Sequence, residues 1–371
     1  MHVPKTDTLD PLLRYLWQYG ATDLHISAGG VPRVRIDGKL LSVTDAPVST
    51  VEFLASIIDD LLSEEDKVQF EQARQHDFAF NWGATARFRA NAFYQLDAPA
   101  LALRLIPTDI PAPEQLGLPA VCGQLVNRPH GLVLVTGPTG SGKSTSLAAM
   151  IGWINQNKPV HILTIEDPVE YVHPSKMALV NQREVGADAV SFADALKAAL
   201  REDPDVILVG EMRDIETISL TLTLAETGHL VFATLHTNDA SQTVDRVIDV
   251  FPADQQEQIR TQFAMALAAV ISQRLVPKIG GGRVAAYEVL LGTSAVSNLI
   301  REGKVRQLRN IISTSQRDGM MVLEQSLGNL VAAGVISVEE ALAASVHPDD
   351  ISNLHQNHGG QPPVAEPVTF L

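Results

Sequence analysis

Residues 137–144, Gly137-Pro138-Thr139-Gly140-Ser141-Gly142-Lys143-Ser144, follow the spacing G-x-x-x-x-G-K-[ST]. No other stretch constrains the fold so tightly. The apolar residues 132–135 before it read as a buried strand, and residues 145–154 after it suit a helix. Glycines let the backbone curl until successive N–H groups point at one centre, and the helix N-terminus adds its positive end. That is a cradle for phosphate. Lys143 would reach the β- and γ-phosphates of ATP, Ser144 would ligate Mg2+, and Thr145 completes the binding segment. The bland alternative is a glycine-rich turn without function; the flanking strand and helix argue against it.

Short apolar runs alternate with helical patterns through the same half of the chain. They are residues 131–136, 161–165, 206–209 and 230–234. Such alternation implies a parallel sheet covered on both faces. The first 106 residues differ and read as a small α+β domain. Asp10 can cap a helix ended by Gly20, with Pro11 in its first turn, and Ser63 can cap another. Asp37-Gly38 signals a hairpin turn, and residues 77–82, 86–93 and 100–106 look like strands. Pro107, Pro111, Pro113 and Pro119 mark residues 107–119 as a linker. Residues 120–345 then form the nucleotide-binding domain, and the Pro- and Gly-bearing residues 346–371 read as a disordered tail.

A phosphate loop says what is bound, not what is done with it. Pro168 stops the strand at 161–165 and leaves Glu166 at its carboxyl end, where ligands bind in open α/β sheets. A carboxylate there can polarise an attacking water. Glu211 follows Gly210 at the end of the strand 206–209, in the place of a carboxylate that holds Mg2+. Each has a plainer reading as a solvated loop acid. His229 precedes the strand 230–234 and His236 follows it; a His at a strand's carboxyl end can sense a γ-phosphate, although a lone His more often serves the fold. Arg87, Arg89 and Arg104 lie on strands of the first domain. They either face solvent or reach a nucleotide, in cis or from a neighbouring subunit.

Composition closes off several classes. With 28 Lys+Arg against 43 Asp+Glu the net charge is −15, the wrong sign for a general nucleic-acid binder. The single Cys122 cannot make an intrachain disulfide or a four-cysteine zinc site. No apolar run approaches the ~20 residues that span a bilayer, and no leader peptide is read at the N-terminus.

At this point the motifs resemble those of the type II/IV secretion ATPase superfamily. Residues 137–145 resemble its Walker A motif and 162–171 its Asp box. Residues 206–214 look like its atypical Walker B and 228–240 like its His box. Within that superfamily the chain is similar, over about residues 9–340, to the pilus retraction ATPases of twitching motility. Residues 20–27 (GATDLHIS), 86–93 (ARFRANAF) and 279–285 (IGGGRVA) are similar to family segments outside the core. Residues 295–302 (AVSNLIRE) are similar to a C-terminal helix motif written AIRNLIRE, from which Val296 and Ser297 depart.

The resemblance implies an α/β fold: a RecA-like P-loop ATPase domain with an N-terminal α+β PAS-like domain and ATP between them. It implies a homo-hexamer that binds ATP with Mg2+. Glu166 is then the catalytic base, Glu211 serves the Mg2+ site, and Arg89 and Arg104 supply arginine contacts. The ring docks on an inner-membrane pilus platform protein and withdraws pilin subunits. It is cytoplasmic, peripheral at the inner membrane, without a membrane span of its own and without nucleic acid. Two neighbouring roles stay open: an accessory paralogous retraction ATPase, and an assembly ATPase for pilus extension or type II secretion. The assembly enzymes typically carry a four-cysteine zinc insert, which Cys122 alone cannot build.

Overall fold

A computed structural model describes residues 4–36, 39–83, 85–106 and 109–351. The expected turn at Asp37-Gly38, Pro107 at the head of the expected linker, and residues 352–371 of the expected tail lie outside the described residues. The chain divides into two units, residues 1–109 and 110–371.

The first unit begins with α1 (Asp10–Gln18), which buries Leu12, Leu13 and Leu16 along one stripe. Asp10 does not cap it: Leu9 is the N-cap, and the Asp10 carboxylate instead accepts from Arg14 and from the Trp82 indole N–H at 2.9 Å. Three short strands follow, β1 (Asp23–Ser27), β2 (Arg33–Ile36) and β3 (Lys39–Ser42). Next come α2 (Val51–Leu61) and α3 (Glu64–Ala73), whose first turns are closed by the Thr50 and Ser63 hydroxyls, each 3.1 Å from a backbone N–H. Three longer strands complete the unit: β4 (Gln75–Trp82), β5 (Ala86–Gln95) and β6 (Ala98–Ile106). Among the described residues they form one antiparallel six-stranded sheet in the order β3-β2-β1-β6-β5-β4.

Side chains alternate across a strand, so one face carries Leu24, Ile26, Val34, Phe88, Ala90 and Leu103 into a core shared with the helices. On the other face register sets Arg35 opposite Asp23, Asp23 opposite Arg104, and Arg104 opposite Arg89.

In the second unit α4 (Val121–Leu125) leads to β7 (Gly131–Thr136), α5 (Lys143–Asn157), β8 (His161–Glu166) and β9 (Leu179–Glu184). Then α6 (Phe192–Ala199), β10 (Val206–Val209), α7 (Ile215–Glu226), β11 (Leu230–Leu235), α8 (Ala240–Asp249) and α9 (Gln256–Ala266) follow in turn. A hairpin of β12 (Leu267–Pro277) and β13 (Arg283–Leu291) precedes α10 (Ser294–Arg301), α11 (Leu308–Thr314), α12 (Leu323–Ala332) and α13 (Val338–Ala344). The sheet order is β13-β12-β7-β11-β10-β8-β9, with β13 alone antiparallel to its neighbour among the described strands. Every residue of β7, β10 and β11 is buried, as expected for strands covered on both faces.

Two boundaries differ from expectation. Residues 110–119 belong to the second unit: Leu118 is in its core, and the Tyr287 hydroxyl donates to the Leu116 carbonyl at 3.4 Å. Residues 346–351 are not loose. The N–H groups of Val346 and His347 donate to the fully buried Glu324 carboxylate at 3.3 and 3.1 Å, and Asp350 pairs with Arg309 at 2.6 Å. Composition suggested a tail because the carboxylate these residues wrap, Glu324, lies more than twenty residues away in the chain.

Candidate active site

The carboxyl ends of β7, β11, β10 and β8 lie side by side, and the chemistry collects there. After β7 the chain turns through Gly137, Gly140 and Gly142 with φ of +141°, +77° and +88°, a region side chains disfavour. At Gly137 the requirement is also steric: a Cβ would stand 2.3 Å from the Gln273 carbonyl oxygen. The helix α5 starts at Lys143, two residues before the expected 145. Lys143 folds back over the loop, its Nζ donating to the carbonyls of Gly137 at 2.9 Å and Pro138 at 3.2 Å. Burial pulls its ammonium below the usual lysine range, against the opposing pull of Glu211 and Glu170. The Ser141 hydroxyl is buried without a hydrogen-bond partner, and the Thr145 hydroxyl meets the Tyr171 hydroxyl at 2.9 Å.

Glu166 ends β8 almost wholly buried. One oxygen accepts from the Thr164 hydroxyl at 2.7 Å and from the Gln182 amide at 3.3 Å; the other accepts from the Glu170 N–H at 3.3 Å. Burial pushes its carboxyl above the ordinary glutamate value, and those three bonds only partly offset it. Glu211 lies just beyond β10. Gly210 before it passes so near β8 that a Cβ would lie 3.2 Å from the Glu166 Cα, a contact tighter than most side chains make. The strand ends are tied together there: the Gly210 N–H donates to Ile165 at 2.8 Å and the Thr234 hydroxyl donates to Gly210 at 2.5 Å.

The charged groups form a chain of alternating partners. Lys143 Nζ is 3.4 Å from His236 Nδ1, and His236 Nε2 is 3.2 Å from Glu211. Glu211 meets Arg213 at 2.8 Å, and Arg213 reaches Asp167 at 3.5 Å. The neighbours fix the histidine tautomer. The ammonium can only donate to Nδ1, so the proton sits on Nε2, facing the carboxylate. Burial pushes the Glu211 carboxyl up, but Arg213 and His236 outweigh it and hold it below the ordinary value, hence ionised.

His229 does not join this set. It sits at the amino end of β11, its Nδ1 3.0 Å from the Leu224 carbonyl, a strand's length (~20 Å) from His236. Arg89 and Arg104 lie in the first unit, brought beside one another by register; Arg104 donates to Asp23 at 2.8 Å and Arg89 is exposed. Sequence reasoning missed Thr164, Gln182, Tyr171 and Gln273. The last had a signal: Ser272-Gln273 is a polar pair inside an apolar strand, and a buried polar side chain needs a partner.

Fold and site together define an α/β protein with a glycine loop set between a buried parallel strand and the helix it opens. The family model described as type II/IV secretion system protein matches residues 2–281, and the chain belongs to that family. It is 50% identical over 339 residues to the "Type IV pilus retractation ATPase PilT" of Pseudomonas aeruginosa, covering 91% of this chain and 98% of that protein. It is 42% identical over 346 residues to the "Type IV pilus ATPase PilU" of the same organism, covering 93% and 90%. A crystal structure of the pilus retraction motor PilT with bound ADP superposes with a TM-score of 0.87 at 48% identity, covering 92% of this chain and 98% of that one.

Proposed function

We propose that this chain hydrolyses ATP as a motor of type IV pilus retraction, and so of twitching motility. One arrangement carries the reading: Lys143, His236, Glu211 and Glu166 gather around a glycine loop at the carboxyl ends of adjacent parallel strands. Similarity to retraction ATPases along nearly the whole chain supports the motor role.

The loop N–H groups of residues 137–145 cradle the phosphates, and Lys143 neutralises the outer ones. Glu166 is the base. Its buried carboxylate accepts a proton from the water whose oxygen bonds to the γ-phosphorus, while the bond to the bridging oxygen of ADP breaks. The raised pKa makes Glu166 a better proton acceptor than a solvated glutamate. His236, protonated on Nε2, links the state of Lys143 to that of Glu211. The residues present suit Mg2+: Glu211 is ionised and Ser144 lies in the first turn of α5. Glu211 and Ser144 would hold the ion beside the bound phosphates. When bound it draws charge from the β- and γ-phosphate oxygens.

The second unit is RecA-like and the first PAS-like. Six copies form the ring, with Arg89 and Arg104 supplying contacts to the nucleotide. The ring works on the cytoplasmic side, against an inner-membrane platform protein. No helix among the described residues is long and apolar enough to cross a membrane, so on this reading the platform provides the membrane contact. Two features bear on the neighbouring roles. Cys122 is buried and its thiol is pushed up to about 12, an inert core residue that builds no zinc site of the assembly type. The accessory reading rests on the departure from the family motif at Ser297, whose hydroxyl donates to the Ala264 carbonyl at 2.7 Å and ties α10 to α9.

The test is genetic. Cells lacking the chain should stay piliated but lose twitching, and wild-type chain but not Lys143→Ala should restore it. Bald cells would reassign the protein to assembly.

A further inference from the structure

The glycine loop is held from outside its own motif. Gln273, one residue past the last pairing of β12 with β7, is 2% exposed and makes two hydrogen bonds. Its Nε2 donates to the Ser141 carbonyl at 2.5 Å, and its Oε1 accepts from the Ser146 hydroxyl at 2.8 Å. The chemistry of the partners fixes the orientation of the amide. A carbonyl only accepts, so the NH2 must face Ser141, and the oxygen is left for the hydroxyl. The backbone beside it closes the same contact. The Gln273 carbonyl and Nε2 come within 2.3 and 2.8 Å of where Cβ atoms on Gly137 and Gly142 would be. One residue earlier in register, the Ser272 and Thr136 hydroxyls meet at 2.8 Å.

Geometry gives this a consequence. A loop that turns its N–H groups inward on phosphate turns the matching C=O groups outward, into the protein. An outward carbonyl that is buried needs a donor or costs the loop its shape. For the Ser141 peptide that donor is Gln273. The same side chain reaches Ser146, one turn into α5, so it fastens the loop to the helix whose N-terminus completes the cradle.

We propose that Gln273 is the positioning residue of the phosphate loop, setting the Ser141 peptide, and hence nucleotide affinity, without touching the nucleotide. The proposal rests on the nucleotide-binding reading above. It gives β12, which carries no recognised motif, a direct part in the site. It also ties the loop to the C-terminal helices, because the neighbouring Arg274 donates to the Ala344 carbonyl at 2.9 Å.

The experiment titrates the purified full-length chain with ADP, followed by calorimetry and paired with melting of the nucleotide-free protein. Gln273→Glu keeps the size but puts an oxygen against the Ser141 carbonyl. ADP affinity should fall at least ~10-fold relative to wild type at the alkaline end. It should recover toward the acid end, over about pH 5.5–8.5, because the protonated acid donates again. Gln273→Met, with no donor, should lose a similar factor at every pH. In ATP hydrolysis both should raise KM and leave kcat within a few-fold, as befits a residue outside the reacting atoms.

Folded Gln273 variants that bind ADP like wild type, or a Gln273→Glu loss that ignores pH, overturn the proposal. Should neither variant fold, Ser146→Ala decides: a loss of ~3-fold supports it and unchanged affinity overturns it. If wild type itself binds no ADP, the nucleotide reading falls and takes the proposal with it. A tight-binding wild type beside an indifferent Gln273→Met sinks the proposal alone.

Discussion

On the six-stranded sheet the charged residues stand on strand faces: Arg35, Asp23, Arg104 and Arg89 form a row fixed by register alone. On the seven-stranded sheet Glu166 ends a strand and Lys143, Glu211 and His236 stand beyond strand ends, each held by hydrogen bonds or ion pairs from other segments. The two placements have different physics. A strand face positions a Cβ well but leaves a long guanidinium free to choose its partner; the Arg104 side chain is 68% exposed even while paired. A strand end in a buried parallel sheet admits little adjustment, to the point that Gly137 has no room for a methyl group and one on Gly210 would push its neighbours by a few tenths of an ångström. The second unit therefore presents a preorganised site, and the first presents adaptable arms.

The contrast breaks most visibly at the loop glycines. Gly137→Ala should abolish nucleotide binding and lower the melting temperature, because its Cβ collides with backbone at 2.3 Å; Gly140→Ala meets open space and should lose only ~1 kcal/mol to its positive φ. If titration and melting find the two equally mild, the loop is not rigidly seated. At the next scale, Glu166→Gln should keep ATP binding and lose ~10²–10⁴-fold in turnover. Wild-type turnover should climb with pH through a value above the ordinary glutamate range, since the base works only when deprotonated and burial raises its pKa. A severe Glu211→Gln beside a near-normal Glu166→Gln would exchange the two roles.

The smallest effect belongs to the first unit. Burial pushes the Asp23 carboxyl up, but Thr22, Arg104 and Arg35 together hold it below its usual range. A depressed folded pKa gives stability that is present above the unfolded value and lost as pH falls through the folded one. Asp23→Asn should therefore melt slightly lower at neutral pH, by no more than about 1 kcal/mol given the solvent around both guanidiniums, and match wild type in acid. A large neutral-pH loss would mean that the row is as rigid as the loop.

These differences also explain what could be read in advance. The phosphate loop was legible because its constraint is local: glycines within a few residues of one another. Glu166 and Glu211 were legible as the first acids after apolar strands. His229 and His236 stand close along the chain, but the extended strand β11 carries them to opposite ends of the sheet. Gln273, Thr164 and Gln182 matter through partners that only the fold assembles, and residues 346–351 looked loose because the carboxylate they wrap, Glu324, lies on another helix.

That wrapped carboxylate decides where this chain can be trimmed. Glu324 is sealed from water, and its acceptors are spent on the Ser345 hydroxyl, the Val346 and His347 amides and the Arg309 guanidinium. Cutting at the boundary that composition suggests, after residue 345, would remove two of those donors and leave a buried anion short of partners. A version that runs to Ile351 keeps all of those donors, together with the Asp350 carboxylate on Arg309 and the buried Ile351 side chain.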